Sequence, residues 1–504
     1  MEFRFPSLSI LLSSLLFLYV VIKTVKKMTS TDPNKKLPPG PWKLPVIGNL
    51  HQLVKFGAQP HQILRDLANK HGPLMHLQLG ELSTVVVSSA EMAKEIMITH
   101  DVAFAGRPYV AALDLVTYGF RDIAMAPYGN YWRQARKICT VELLTAKRVQ
   151  SFESVRQEQV SALVKSISSN QGSPINLTKQ IFSLTYRIAS RAAFGNVCKD
   201  HEAYSSVVEK TVRLASGFKL ADMYPSLKAL EHISALRQKS KALFDTSDRI
   251  LQGIIDEHRS NLKRGEGEAK EDLVTVLLKI QQQGGLEFPL TDNDLKGIIW
   301  DIFGGGGETS STAVDWAMSE MMRSPRVLKK AQNEVRQVCH GKGDVDEASL
   351  KELKYLSLVI KETFRLHPPF PLLLPRESRV DCEVKGYQVP CKTKIIINAW
   401  AIARDPKFWN EPETFNPERF LNNSTDFKGT DLEFIPFGAG RRMCPGISFA
   451  LPNVELPLAK LLFHFDWELP SGMNHQNLDM TEIFGVTMRR KDDLILIPTR
   501  LSPK

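Results

Sequence analysis

A chain of 504 residues, 43% of them hydrophobic, can bury a large core and exceeds the usual length of one domain. Its net charge of +10 permits nucleic acid, anionic lipid or an acidic protein as partner, but no long basic tract or aromatic-interleaved basic patch supports nucleic acid. Six cysteines at irregular positions, with no CxxC pair, exclude a disulfide-stapled scaffold and fit a reducing compartment.

Leu8 to Ile22 is apolar except for Ser9, Ser13, Ser14 and Tyr19. With Phe5 and Val25 it approaches the ~20 residues that span a bilayer. A cleavable signal peptide is the rival reading, but Lys23, Lys26 and Lys27 follow the run, Glu2 offsets Arg4 before it, and no small-x-small site comes after. Residues 1–27 are therefore expected to form a membrane anchor, with the rest of the chain on the cytoplasmic side. The sequons at Asn176 and Asn423 would then go unused. Residues 28–45 read as a linker and hinge, because the prolines of Leu37-Pro-Pro-Gly-Pro-Trp-Lys-Leu-Pro45 enforce a stiff, extended connection. Composition alone leaves open whether that hinge orients the body or only spaces it.

Residues 46–504 read as one body, mainly α with small β-sheets. Leu74 to Leu79 and Thr84 to Ser88 flank Gly80-Glu-Leu-Ser83 as a hairpin, and Lys394 to Asn398 and Asp493 to Pro498 are further strand candidates. Lys263 to Asp272 reads as a charged surface loop, and there is no internal repeat. Trp132 and Arg136, at i and i+4 on one helical face, offer an indole N–H and a guanidinium to an anion.

A helical pattern from about Leu295 to Met322 contains Asp301-Ile-Phe-Gly-Gly-Gly-Gly-Glu-Thr-Ser310. Spacing of four puts Asp301, Gly305 and Thr309 on one face, with Glu308 adjacent. A phosphate-loop reading fails, since no Lys-Ser/Thr pair follows and no strand clearly precedes. Each interior glycine costs up to about 1 kcal/mol relative to alanine, so four together imply that something approaches the backbone closely, and an open or kinked groove is expected. Glu362 and Arg365, at i and i+3, form an ion pair whose plain reading is a surface pair worth a few tenths of a kcal/mol. Arg376, after Pro375, is a further candidate cation.

Phe437-Gly-Ala-Gly-Arg-Arg-Met-Cys-Pro-Gly446 surrounds Cys444 with what a metal-bound thiolate needs. Glycines let the chain turn and bring N–H groups near sulfur, Arg441 and Arg442 favour an anion, and Phe437 can cover the loop. Ile447 to Phe463 then reads as a helix whose N-terminus faces the sulfur, with Pro452 and Pro457 as expected kink points. A buried structural cysteine is the plain alternative.

Phe437, Gly440, Arg442, Cys444 and Gly446 resemble the haem loop of the cytochrome P450 family, and Gly305 to Ser310 resemble its oxygen-binding helix. The resemblance runs from Leu37 to Arg500 and extends to the Pro-rich hinge of membrane-anchored members. It implies a P450 fold, haem b held by the axial thiolate of Cys444, propionate contacts from Trp132, Arg136, Arg376 and Arg442, and a structural network of Glu362, Arg365 and Arg419. Reductive dioxygen cleavage consumes protons, so Thr309 and Glu308 are expected as hydroxyl and acid of a relay. The family further implies NADPH-derived electrons through a separate P450 reductase, endoplasmic reticulum membrane as location, and no obligate oligomer. Apolar stretches at Tyr109 to Ile123, Ile302 with Gly305, Pro369 to Leu374 and Phe484 to Thr487 are expected to line an apolar substrate, which the overall resemblance to terpenoid oxygenases makes a terpenoid, with an alkaloid or phenolic as alternative. An isomerase, a dehydratase or a haem carrier of the same fold would have less use for Glu308 and Thr309.

Overall fold

The computed structural model describes residues 36–54, 57–195, 200–216, 220–227, 235–265 and 271–501, together with Ser14, Leu18 and Ile22. The expected anchor at 1–27 lies outside the described residues apart from those three positions, as do 28–35 of the linker. No helix among the described residues is long and apolar enough to cross a membrane.

Helices α1 (Pro60–His71), α2 (Asn130–Ile138), α3 (Leu177–Phe194), α4 (His201–Ala215), α5 (Ala235–Lys263), α6 (Asp292–Arg323), α7 (Lys354–Leu366) and α8 (Ile447–His464) carry the body. Beside them lies a four-stranded sheet of β1 (Leu74–Leu79), β2 (Leu82–Val87), β3 (Arg376–Glu377) and β4 (Lys394–Ile397), in the order β1-β2-β4-β3. The hairpin forms as expected, and β2 then pairs in parallel with β4, Val85 opposite Ile395 and Val87 opposite Ile397. These central strands are buried on both faces, which is why they read as continuous apolar runs rather than alternating ones. Ile495–Arg500 pairs antiparallel with Phe465–Glu468 and closes the C-terminal end. The mainly helical class with small sheets is thus what the chain adopts.

Helix α6 begins at a capping box, in which the Thr291 hydroxyl accepts the Asp294 N–H at 3.3 Å and the Asp294 carboxylate accepts the Thr291 N–H at 2.7 Å. It then runs unbroken for 32 residues, straight through the glycines. The expected kink is absent, and packing gives the reason. A Cβ on Gly307 would lie 2.6 Å from the Tyr186 ring of α3, one on Gly306 2.9 Å from the Phe449 ring of α8, and one on Gly304 3.2 Å from Val208 of α4. Three of the four glycines therefore let neighbouring helices close on α6. Gly305 alone faces open space, with nothing within 4 Å of its missing Cβ. The expected groove is one residue wide. Helix α8 likewise continues through Pro452 and Pro457 without a break.

The Glu362–Arg365 pair is no surface pair, for both side chains are wholly buried. Arg365 meets the two Glu362 oxygens at 2.8 and 2.9 Å and donates to the carbonyls of Ala403, Pro412 and Thr414. Arg419 and the Asn416 N–H complete the shell of Glu362, at 3.0 and 2.9 Å. Every donor and acceptor in the cluster is engaged, the condition under which a buried ion pair holds.

Candidate functional site

The loop before α8 turns through Gly438 and Gly440, at φ +72° and +68°. At Gly440 the reason is contact as well as conformation, since a Cβ there would sit 2.0 Å from the Met97 carbonyl. Phe437 packs its ring on Phe364 and Phe427, and its carbonyl accepts the Cys444 N–H at 2.9 Å. The Gly446 N–H points back at Cys444 Sγ at 3.4 Å. Burial pushes the Cys444 thiol up, while that N–H and the charge of Arg136 pull it down. Cys444 is a free thiol. Among the described residues no group of three or more His, Cys, Asp or Glu could hold a metal ion.

Positive charge gathers beside the sulfur. Arg376 donates to Asp101 at 3.1 Å and to the Ala439 carbonyl at 2.8 Å. Arg442 stacks 4.4 Å over the Trp132 ring and donates to the carbonyls of Ala105, Ile123 and Ala126. Burial, then repulsion from Arg376, pushes Arg442 down to about 9. Arg107, which the sequence reading missed, donates to the carbonyls of Ala124, Leu374 and Pro375 and is pushed down by burial and by Arg442 and Arg376. Its only sequence signal is a charged residue beside proline. The guanidinium of Arg136 makes no hydrogen bond or ion pair among the described residues, and burial pushes it down against the pull of Cys444. Trp132 is placed with this cluster, but its indole N–H donates to the Ile123 carbonyl at 3.0 Å. Arg441 stays at the rim, its backbone N–H on Asp101 at 2.9 Å.

On α6 the Thr309 hydroxyl donates to the Gly305 carbonyl at 2.7 Å, beside the open position. Glu308 takes the adjacent face. It is buried and accepts from Tyr186 at 3.0 Å, from Thr487 at 2.6 Å and from both Arg489 nitrogens, one at 2.7 Å. None of these partners was legible, since Tyr186 and Arg489 come from elements far apart in sequence.

Mutually repelling arginines, one without a partner among the described residues, call for a compact anion of more than one charge. A single protein sulfur calls for a metal whose remaining ligands the protein does not supply. An iron porphyrin with two propionates meets both demands, and the residues present fit it, which defines a haem-thiolate protein. A profile of the family described as cytochrome P450 matches residues 38–497, and the chain belongs to that family. It is 50% identical to premnaspirodiene oxygenase of Hyoscyamus muticus, over 98% of each chain. It is 52% identical to tabersonine 6,7-epoxidase isoform 1 of Catharanthus roseus, over 95% of each. Among solved structures, a zebrafish cytochrome P450 with progesterone aligns at a TM-score of 0.75 and 26% identity, covering 88% of this chain and 100% of that one. The protein is therefore a cytochrome P450 monooxygenase, a haem-thiolate enzyme that draws on dioxygen and NADPH-derived electrons.

Proposed function

We propose that this enzyme inserts one oxygen atom into a C–H bond of an apolar plant specialised metabolite, a terpenoid, with Cys444 as the axial ligand of haem. The observation that carries the assignment is the Cys444 thiol under the Gly446 N–H, beside an unpaired Arg136. Bound haem would supply dioxygen reduction and C–H oxidation. Arg136, Arg376 and Arg442, the last stacked on the Trp132 ring, would hold its carboxylates, Phe437 packs over the loop, and Thr309 holds a proton-bearing hydroxyl beside Gly305. Glu308, the acid expected in that relay, is a carboxylate paired with Arg489 and bonded by the Tyr186 and Thr487 hydroxyls, so it would serve as a proton acceptor and carrier and not as a standing acid.

Support for a terpenoid is the similarity to premnaspirodiene oxygenase; similarity to a tabersonine epoxidase supports an alkaloid as the second reading. Residues 1–27 would anchor the chain in the endoplasmic reticulum membrane, 28–45 would orient it, and 46–504 would take electrons from NADPH–cytochrome P450 reductase on the cytosolic side. Incubation with reductase, NADPH and a panel of terpene, alkaloid and phenolic scaffolds tests the substrate. Turnover confined to alkaloids would reject the terpenoid.

Two substitutions test the distal face. Thr309→Ala is expected to keep haem but divert electrons to peroxide, so that product per NADPH falls by roughly 10-fold or more. Unchanged coupling would remove Thr309 from the relay. Gly305→Val fills the one open position and is expected to leave haem content intact while lowering turnover of the bulkiest scaffold by about 10-fold relative to the smallest. A uniform effect across scaffolds would show that Gly305 does not face substrate.

A further inference from the structure

One cluster beside the site is left unused by the assignments above. The segment 121–126 supplies the carbonyls that receive Arg442, Arg107 and Trp132, and it is held from the opposite side by carboxyl groups. Asp301 Oδ2 accepts the N–H groups of both Ile123, at 2.5 Å, and Ala124, at 2.8 Å. Asp122 Oδ2 accepts the Met125 N–H at 3.0 Å. The other Asp122 oxygen is buried with no donor among the described residues, and Asp301 receives the N–H of the very next residue, so the two carboxyls hold one short backbone segment. A proton held between two neighbouring buried carboxyls satisfies such an acceptor and removes one of the two like charges.

We propose that Asp301 is a positioning residue which, through a single proton shared with Asp122, fixes segment 121–126 against α6 and thereby ties the propionate-side arginines to the helix that carries Gly305 and Thr309. The link is a continuous chain of hydrogen bonds. From Asp301 it passes through the N–H of Ala124 to the Ile123 carbonyl of the same peptide group, and on to Trp132 and Arg442. Peptide groups in such a chain polarise one another, so the anionic end strengthens the acceptor end.

Electrostatics agrees with the geometry. Burial raises both carboxyls, Asp122 well above the carboxylate range and Asp301 to about 6, so one proton resides on the pair at neutral pH. The charged and titratable groups that face the pair are Arg107 from the segment before it, Tyr131 of α2, Cys139 just after α2, and Arg442 of the haem loop. As pH falls through about 6, Asp301 takes up the second proton, and the two N–H groups lose their anionic acceptor.

This inference rests on the haem assignment and is separable from it. Haem loss from the full-length holoenzyme to excess apomyoglobin would be timed between about pH 8 and pH 5, with the reduced carbon monoxide spectrum recorded for each protein. Asp122→Asn offers an amide donor to Asp301 without a titrating proton, and Asp301→Asn offers one oxygen to the two N–H groups and an amide to Asp122. Wild type is expected to lose haem about 10-fold faster at the acid end, both asparagine variants to show a flat profile, and Asp301→Ala to lose haem about 10-fold faster throughout. A profile of Asp122→Asn that matches wild type would refute the shared proton. Haem retention in Asp301→Ala equal to wild type would refute the positioning role. A wild-type spectrum without the thiolate-type red-shifted band would instead strike at Cys444 and leave the carboxyl pair standing.

Discussion

Cys444→Ser is expected to abolish the red-shifted band of the reduced carbon monoxide complex and to lower product formation on the order of 1000-fold or more. The exchange is nearly isosteric, so the loop geometry should persist: the Cys444 N–H bond to Phe437 and the glycine turns do not involve sulfur. What is lost is an ionisable ligand. Burial already pushes the thiol up, and the aids to its ionisation within the protein are one backbone N–H and one arginine. A metal cation can displace a thiol proton against that burial, but a serine hydroxyl starts far higher and stays neutral. Thermal unfolding of the variant polypeptide should change little, which separates loss of a ligand from loss of the fold. A variant that kept both the band and turnover would show that the sulfur is not the ligand.

Arg365→Ala is expected to destabilise the fold by about 3–5 kcal/mol, a large part of the roughly 5–15 kcal/mol by which such chains are stable. Glu362 would remain wholly buried without its main counter-charge, and the carbonyls of Ala403, Pro412 and Thr414 would lose their donor. The yield of haem-loaded soluble protein and the denaturant midpoint measure this. Arg365→Lys should recover little, because an ammonium cannot meet two carboxylate oxygens and three carbonyls from one position. Full recovery by lysine would show that the cluster needs charge and not shape.

The sequence carried the fold class and the family, for physical reasons. Cys444 was legible because a cysteine set among glycines and arginines is an unusual local combination, and Thr309 because a polar residue at helical spacing from a glycine is a local pattern too. The hairpin was legible from two strand-like runs around a glycine turn and most of α6 from its helical pattern, while its Thr291 cap went unread. Contacts between distant segments were not. The burial of Glu362 and Arg365 depends on Ala403, Pro412 and Arg419, and the ion pair of Glu308 depends on Arg489, with no local signal for either. Glycines 304, 306 and 307 read as an opening when they serve contact, since small residues have the same signature in both cases. Pro452 and Pro457 read as kinks, yet α8 absorbs both. Asp301 was placed on the face of Gly305 and Thr309, but its tie to the segment that carries Asp122 escaped notice because the two lie far apart in sequence.

The contact between Gly306 of α6 and the Phe449 ring has a bearing on assembly. Phe449 lies five residues beyond Cys444 on the helix that begins at the sulfur loop, so one aromatic ring pressed against one hydrogen atom gauges the separation of the two walls. The spacing of the two helices at this point is thereby set by the polypeptide itself. A single methyl at position 306, far smaller than any substrate, is the change that would pry the two helices out of gauge.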